Sequence, residues 1–171
     1  KSLQLLTLWR RALAGARLLS MNAIAQLLTP DTVSLTTQAA TKEALFQVAA
    51  DAFGERLGIN SAQIHDALLM REQLGSTGLG QGVGIPHGRL KGLKQVAGMF
   101  YRLSKAVPFD APDNRPVDLV FFLLVPEQST EEHLQRLSEL AQGFSDPDFR
   151  GALRSAEDAA AVVKIFSNGV Q

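Results

Sequence analysis

Val117–Val125 reads VDLVFFLLV, an apolar run broken only by Asp118. So continuous a run is the signature of a buried strand, one belonging to a sheet that is covered rather than wet on one face. The rest of the chain supplies elements to cover it. Thr41 can cap a helix reaching about Leu57, with Leu45, Val48, Ala49, Ala52 and Phe53 facing inward, and Gly58 stops it. Ser61 can cap a second helix to about Glu72, with Ile64, Ala67 and Leu68 inward. Ser129 and Glu132 fit a capping box for a helix from about Thr130 to Phe144. Ser155 and Asp158 echo that pattern before a last helix ending near Ser167. Asn22–Leu28 is expected to form a helical turn before Pro30. Shorter strands are expected at Thr32–Leu35, Val83–Pro86, Val96–Leu103 and Val107–Phe109. Helices and strands interleave, which predicts an α/β sandwich: a mixed β-sheet flanked by helices.

The 171 residues suit one domain, assigned here to residues 21–171. Residues 1–20, KSLQLLTLWRRALAGARLLS, read as an extension outside it. Arg10 and Arg11 split what would be the apolar stretch of a secretory signal, and Met21 opens a second start, MNAIAQLL. The extension is expected to be vector-derived or an upstream start; a basic amphipathic docking helix is the alternative. Lys plus Arg and Asp plus Glu each number 17, so no global basic field exists for gripping nucleic acid. Cysteine is absent, which removes disulfides, thiolate metal sites and cysteine nucleophiles and fits a reducing compartment such as the cytoplasm. No run reaches the ~18 apolar residues of a membrane span.

Composition changes abruptly at the end of the second helix. Arg71–Leu90 reads REQLGSTGLGQGVGIPHGRL, and Gly75 to Gly92 contribute seven of the chain's 14 glycines. Where no Cβ intervenes, backbone N–H groups can approach an anion closely. Neither the P-loop nor the dinucleotide fingerprint is present, so no nucleotide cofactor is expected by those routes. A long flexible connection is the other reading of the glycines. His87 changes the balance. Pro86 fixes the backbone before it and Gly88 opens space after it, a poor setting for a packing residue. The ring is expected to be exposed in a surface hollow. Neutral imidazole is a nucleophile near pH 7, with an ordinary pKa of about 6.5. It can accept a phosphoryl group and pass it on. Ser76 and Thr77 supply hydroxyls, and Arg71 a planar cation suited to phosphate oxygens. Taken alone, Arg71 reads as a solvated helix-end arginine. His133 lies in the first turn of a predicted helix, where the dipole favours an anion. It can hold a phosphoryl oxygen or fix the tautomer of His87; an exposed histidine beside Glu131 and Glu132 is the alternative. His65 has no motif around it and is read as structural or exposed. A metal site built on His87 and His133 would lack a third ligand, so none is assigned.

The stretch GSTGLGQGVGIPHG, with MRE before it, FDAPDNRPVDLVFFLLVP after it and then EEHLQRLSELA, resembles phosphotransferase-system IIA proteins. The likeness is to the fructose/mannitol and nitrogen-regulatory type, most of all the free-standing nitrogen-regulatory one, and covers roughly Asn22 to Asn168. The resemblance implies the IIA sandwich fold and His87 as the residue carrying a phosphoryl group. It also implies His133 beside it, with Arg71, Ser76 and Thr77 around the phosphate. It implies a histidine phosphocarrier protein as donor, no cofactor, and regulated targets such as a sensor kinase, a potassium transporter or a metabolic enzyme. A sugar-transport component serving a separate IIB protein is the alternative, and a non-catalytic anion-binding module is a third.

Overall fold

The structure is a computed structural model describing residues 21–168; the extension expected over residues 1–20 lies outside the described residues. Residues 21–25 are helical and lead to a 3-10 turn at Pro30–Thr32. Strand β1 (Val33–Thr37) is followed by helices α1 (Lys42–Leu57) and α2 (Ser61–Gln73). The glycine-rich segment is not a loose connection. It forms three short strands, β2 (Gly78–Gly80), β3 (Val83–Gly84) and β4 (His87–Leu90). Two long strands, β5 (Ala97–Val107) and β6 (Val117–Pro126), precede helices α3 (Thr130–Phe144), α4 (Pro147–Ser155) and α5 (Ala159–Asn168).

Local chemistry sets most of these ends. Thr41 caps α1 by accepting the Ala44 N–H, and Gly58 ends it with φ 68°, in the left-handed region open to glycine. The cap of α2 is Asn60, not Ser61; its side chain accepts the Ala62 N–H, and Ser61 is the first helical residue. Ser129 occupies the cap position of α3 without a side-chain bond, so the expected capping box does not form. Asp158, not Ser155, caps α5 through the Ala161 N–H. Helix α4 escaped the sequence reading although its start carries a signal: Asp146 accepts the Asp148 N–H and Pro147 sits at the first position.

The sheet is mixed, as expected. β5 and β6 are antiparallel, and β1 runs parallel to β5 on its other edge. β5 takes in the strand expected at Val96–Leu103 and runs on to Val107, with a register shift between Arg102 and Val107; the separate strand expected at Val107–Phe109 does not form. β3 and β4 lie in succession, parallel to β6: Val83–Gly84 beside Leu119–Val120, then His87–Leu90 beside Leu123–Pro126. β2 folds back antiparallel onto β3.

The continuous apolar run of β6 is explained by cover on both faces. Leu119, Phe121, Leu123 and Val125 join Phe100, Phe144, Phe149 and Phe166 on one face, under residues 21–28 and helices α3, α4 and α5. Val120, Phe122 and Leu124 join Leu45, Phe46, Ile64 and Leu68 on the other, under α1 and α2. The inward stripe of α1 is Leu45, Phe46, Ala49, Ala50 and Phe53. Val48, expected inward, is exposed because it lies roughly 130° round the helix from the centre of that stripe.

Candidate functional site

The first residue of β4 and the first turn of α3 bring His87 and His133 together. His87 is paired in register with Leu123 of β6, and the preceding Pro86 carbonyl accepts the Leu123 N–H at 3.0 Å. The chain between β3 and β4 is tied as well, since the Ile85 N–H donates to the Thr77 carbonyl at 3.0 Å. The His87 Nδ1 lies 2.8 Å from the Ile85 carbonyl. A carbonyl only accepts, so the proton sits on Nδ1 and Nε2 presents its lone pair. The ring of His133 stands 5.1 Å from that of His87, at 68° to it. Arg89 Nε donates to His133 Nδ1 at 3.4 Å, which leaves the His133 proton on Nε2, buried and without a partner among the described residues. The two rings therefore offer opposite faces of imidazole chemistry: one lone pair and one N–H.

Burial controls their charge. His87 is only 7% exposed, a correction to the expected exposed hollow. Burial pushes its pKa down and Arg71 adds to that, against the Ile85 carbonyl and Glu72, which favour the cation. His133 is pushed down to about 4, first by burial, then by the charges of His87, Arg89 and Arg71. Both rings are neutral at pH 7. The His133 ring is expected to titrate near pH 4 in nitrogen-15 spectra; a midpoint at the ordinary value of about 6.5 would contradict the packing described here. Because both native rings bind protons less readily than unfolded ones, their contribution to stability is full above about pH 6.5. It falls as the pH drops towards about 4.

Arg71 lies in the last turn of α2, half-buried, and its Nη1 donates to the Gly75 carbonyl at 2.8 Å, so it is not simply a solvated helix end. Ser76 and Thr77 reach the same neighbourhood, but their hydroxyl protons are committed within the protein. Ser76 donates to the Phe109 carbonyl at 2.6 Å and Thr77 to Glu72 Oε2 at 2.6 Å. His65 is half-buried on α2, and among the described residues no bond joins it to the cluster. Two residues escaped the sequence reading. Arg89 sits two positions after His87 in one strand, the spacing that places side chains on one face. Glu72, read only as a helix end and the last residue of a motif, is buried and pairs with Lys42 at 3.0 Å.

The family model described as "Phosphoenolpyruvate-dependent sugar phosphotransferase system, EIIA 2" matches residues 26–169. The chain belongs to this EIIA family. The nitrogen regulatory protein of Bradyrhizobium diazoefficiens is 41% identical over 126 residues, 74% of this chain and 82% of that protein. The fructose-specific EIIA component of Haloferax volcanii is 36% identical over 145 residues, 81% of this chain and 91% of that protein. The crystal structure of nitrogen regulatory protein IIA-Ntr from Neisseria meningitidis superposes with a TM-score of 0.81 at 43% identity, covering 84% of this chain and 99% of that one. The mixed sheet between two helical layers is thus the EIIA fold that the resemblance implied. Membership makes the chain a phosphocarrier or regulator of the phosphotransferase type. Among the described residues of this EIIA chain, no helix is long and apolar enough to cross a membrane.

Proposed function

We propose that His87 Nε2 accepts a phosphoryl group from the phosphohistidine of a histidine phosphocarrier protein, and that the phosphorylation state of His87 decides which partner this chain binds. The observation that carries the reading is the His87 Nδ1–H held on the Ile85 carbonyl at 2.8 Å, which leaves Nε2 as the nucleophilic nitrogen. The Nε2 lone pair attacks phosphorus in line as the donor's N–P bond breaks, and that bond's electrons return to the donor imidazole. No proton has to leave His87. The His133 Nε2–H, 5.1 Å ring to ring from His87, donates to a phosphoryl oxygen, and Arg71 neutralises charge on the others. Ser76 and Thr77 shape the phosphate surroundings through the segment they anchor. Donor and acceptor are both phosphohistidines of similar transfer potential, so neither metal nor nucleotide is required. The relay works in the cytoplasm.

The regulatory emphasis rests on the nitrogen regulatory proteins among the relatives. Adding a doubly charged group beside a half-buried arginine changes the local field enough to switch an interface. The targets proposed are a sensor kinase, a potassium transporter or a metabolic enzyme. Incubation with phosphoenolpyruvate, the general first enzyme and a histidine phosphocarrier should add one phosphoryl group, located on the His87 peptide by mass spectrometry. Labelling elsewhere, or none, would sink the proposal. His133→Ala should slow acceptance and onward transfer by about 10²-fold, the loss of one oriented donor in a dry site. Unchanged rates in both directions would remove His133 from the mechanism.

A further inference from the structure

A chain of hydrogen bonds runs from a buried ion pair to the ring of His87. Lys42 Nζ of α1 pairs with Glu72 Oε1 of α2 at 3.0 Å. The same carboxylate accepts the Thr77 N–H at 3.1 Å and the Thr77 hydroxyl at 2.6 Å. The Thr77 carbonyl accepts the Ile85 N–H at 3.0 Å, and the Ile85 carbonyl accepts His87 Nδ1–H at 2.8 Å. The Glu72 side chain is 4% exposed. Taking a carboxylate that far from water is costly, and a lysine and two hydrogen bonds offset the cost.

We propose that Glu72 is a positioning and charge-balancing residue for phosphoryl acceptance: through Thr77 and Ile85 it fixes the His87 ring, and its charge offsets the one that ring gains. The inference rests on the reading of His87 as acceptor. When the Nε2 lone pair becomes an N–P bond, the proton stays on Nδ1 and the ring acquires one formal positive charge. Three groups face that ring with charge or a proton to give: Arg71 of α2, His133 of α3, and Arg89 behind His133. Arg71 disfavours a positive ring, and Glu72 is the anion that favours it. Lys42, reaching across from α1, keeps that anion in place and also bonds the Phe109 carbonyl at 3.3 Å.

Glu72→Gln separates charge from shape. The amide oxygen still accepts from Lys42 and the Thr77 N–H, and the Thr77 hydroxyl can turn to accept from the amide. The phosphoryl-transfer equilibrium with the phosphocarrier should shift about tenfold towards the carrier, and the His87 titration midpoint should fall further. Lys42 loses its buried counter-charge in that variant, so Lys42→Met with Glu72→Gln is the matched control: stability recovers while the shift persists. An equilibrium and a His87 midpoint like those of the wild type in the double variant would overturn the charge role. Glu72→Ala, made together with Lys42→Met so that no buried charge is left unpaired, removes both bonds to Thr77, and nitrogen-15 spectra should then show His87 as a mixture of tautomers. A single Nδ1–H tautomer would overturn the positioning role. If the wild-type chain takes no phosphate at His87, the acceptor reading fails instead, and the two failures are distinguishable.

Discussion

Replacing His87 with alanine is expected to abolish acid-labile phosphorylation while leaving the fold intact. The loss should be complete, because no second nitrogen can take over. His133 has its proton on Nε2, its Nδ1 lone pair accepts from Arg89, and its pKa near 4 marks a weakly basic ring. Structurally, the variant leaves the Ile85 carbonyl without its side-chain donor, at a cost of about 1–3 kcal/mol. β4 itself is held by backbone pairing to Leu123–Pro126, which the substitution does not touch. Intact mass after incubation with the phosphoenolpyruvate relay checks the chemistry, and a urea titration checks the fold. Labelling at wild-type stoichiometry would rule out His87. The same variant separates regulation from transport. Locked in the unphosphorylated state, it should retain only the partners of that state in a pull-down. Exclusive recovery of a sugar-specific permease by the phosphorylated wild type would favour the transport reading. A kinase, potassium transporter or metabolic enzyme bound in one state only would favour regulation.

The parts legible in the sequence were those governed by short-range rules. The apolar run of β6 announced a strand buried on both faces, and Thr41 and Gly58 marked the ends of α1 because a cap and a left-handed residue act within one turn. The pairing of His87 with His133 was legible only through resemblance, since 46 positions separate them and only the sheet brings them to 5.1 Å. Three things were hidden. Of the glycine-rich segment only the strand at Val83–Pro86 was legible, with a loose connection as the other reading, because its strands are two to four residues long and take their order from pairing with β6, not from periodicity. His87 read as exposed because Pro86 and Gly88 beside it make a poor setting for a packing residue, whereas register with Leu123 draws the ring under cover. Glu72 read as a helix end because nothing local reveals that Lys42, thirty residues earlier, arrives to neutralise it. Charges that meet through tertiary packing carry no signature in spacing.

Phe121→Ala is expected to be the most damaging single change to stability, about 3–5 kcal/mol, a large fraction of the ~5–15 kcal/mol that holds a domain. Phe121 is fully buried at the centre of β6, opposite Phe100 in register and 5.7 Å from the ring of Phe166. Its ring also lies over the bare backbone of Gly98, where an added Cβ would come within 2.9 Å of Phe121 Cζ. That contact makes the two positions interdependent. Gly98→Ala alone should destabilise, because the ring is wedged against Phe166 and cannot swing aside. Combined with Phe121→Ala, the new methyl enters part of the vacated space and removes the entropic cost of a glycine within a strand, so it should stabilise relative to Phe121→Ala alone. A urea double-mutant cycle with a coupling of opposite sign to the single Gly98 effect would establish the contact; simple additivity would refute it. Phosphorylation measured at low temperature, where the Phe121 variant is still folded, should persist. His87 is held by the backbone edge of β6 and by Ile85, neither of which needs the Phe121 ring, so in this chain the chemistry depends on the sheet's register and not on the bulk packed against its face.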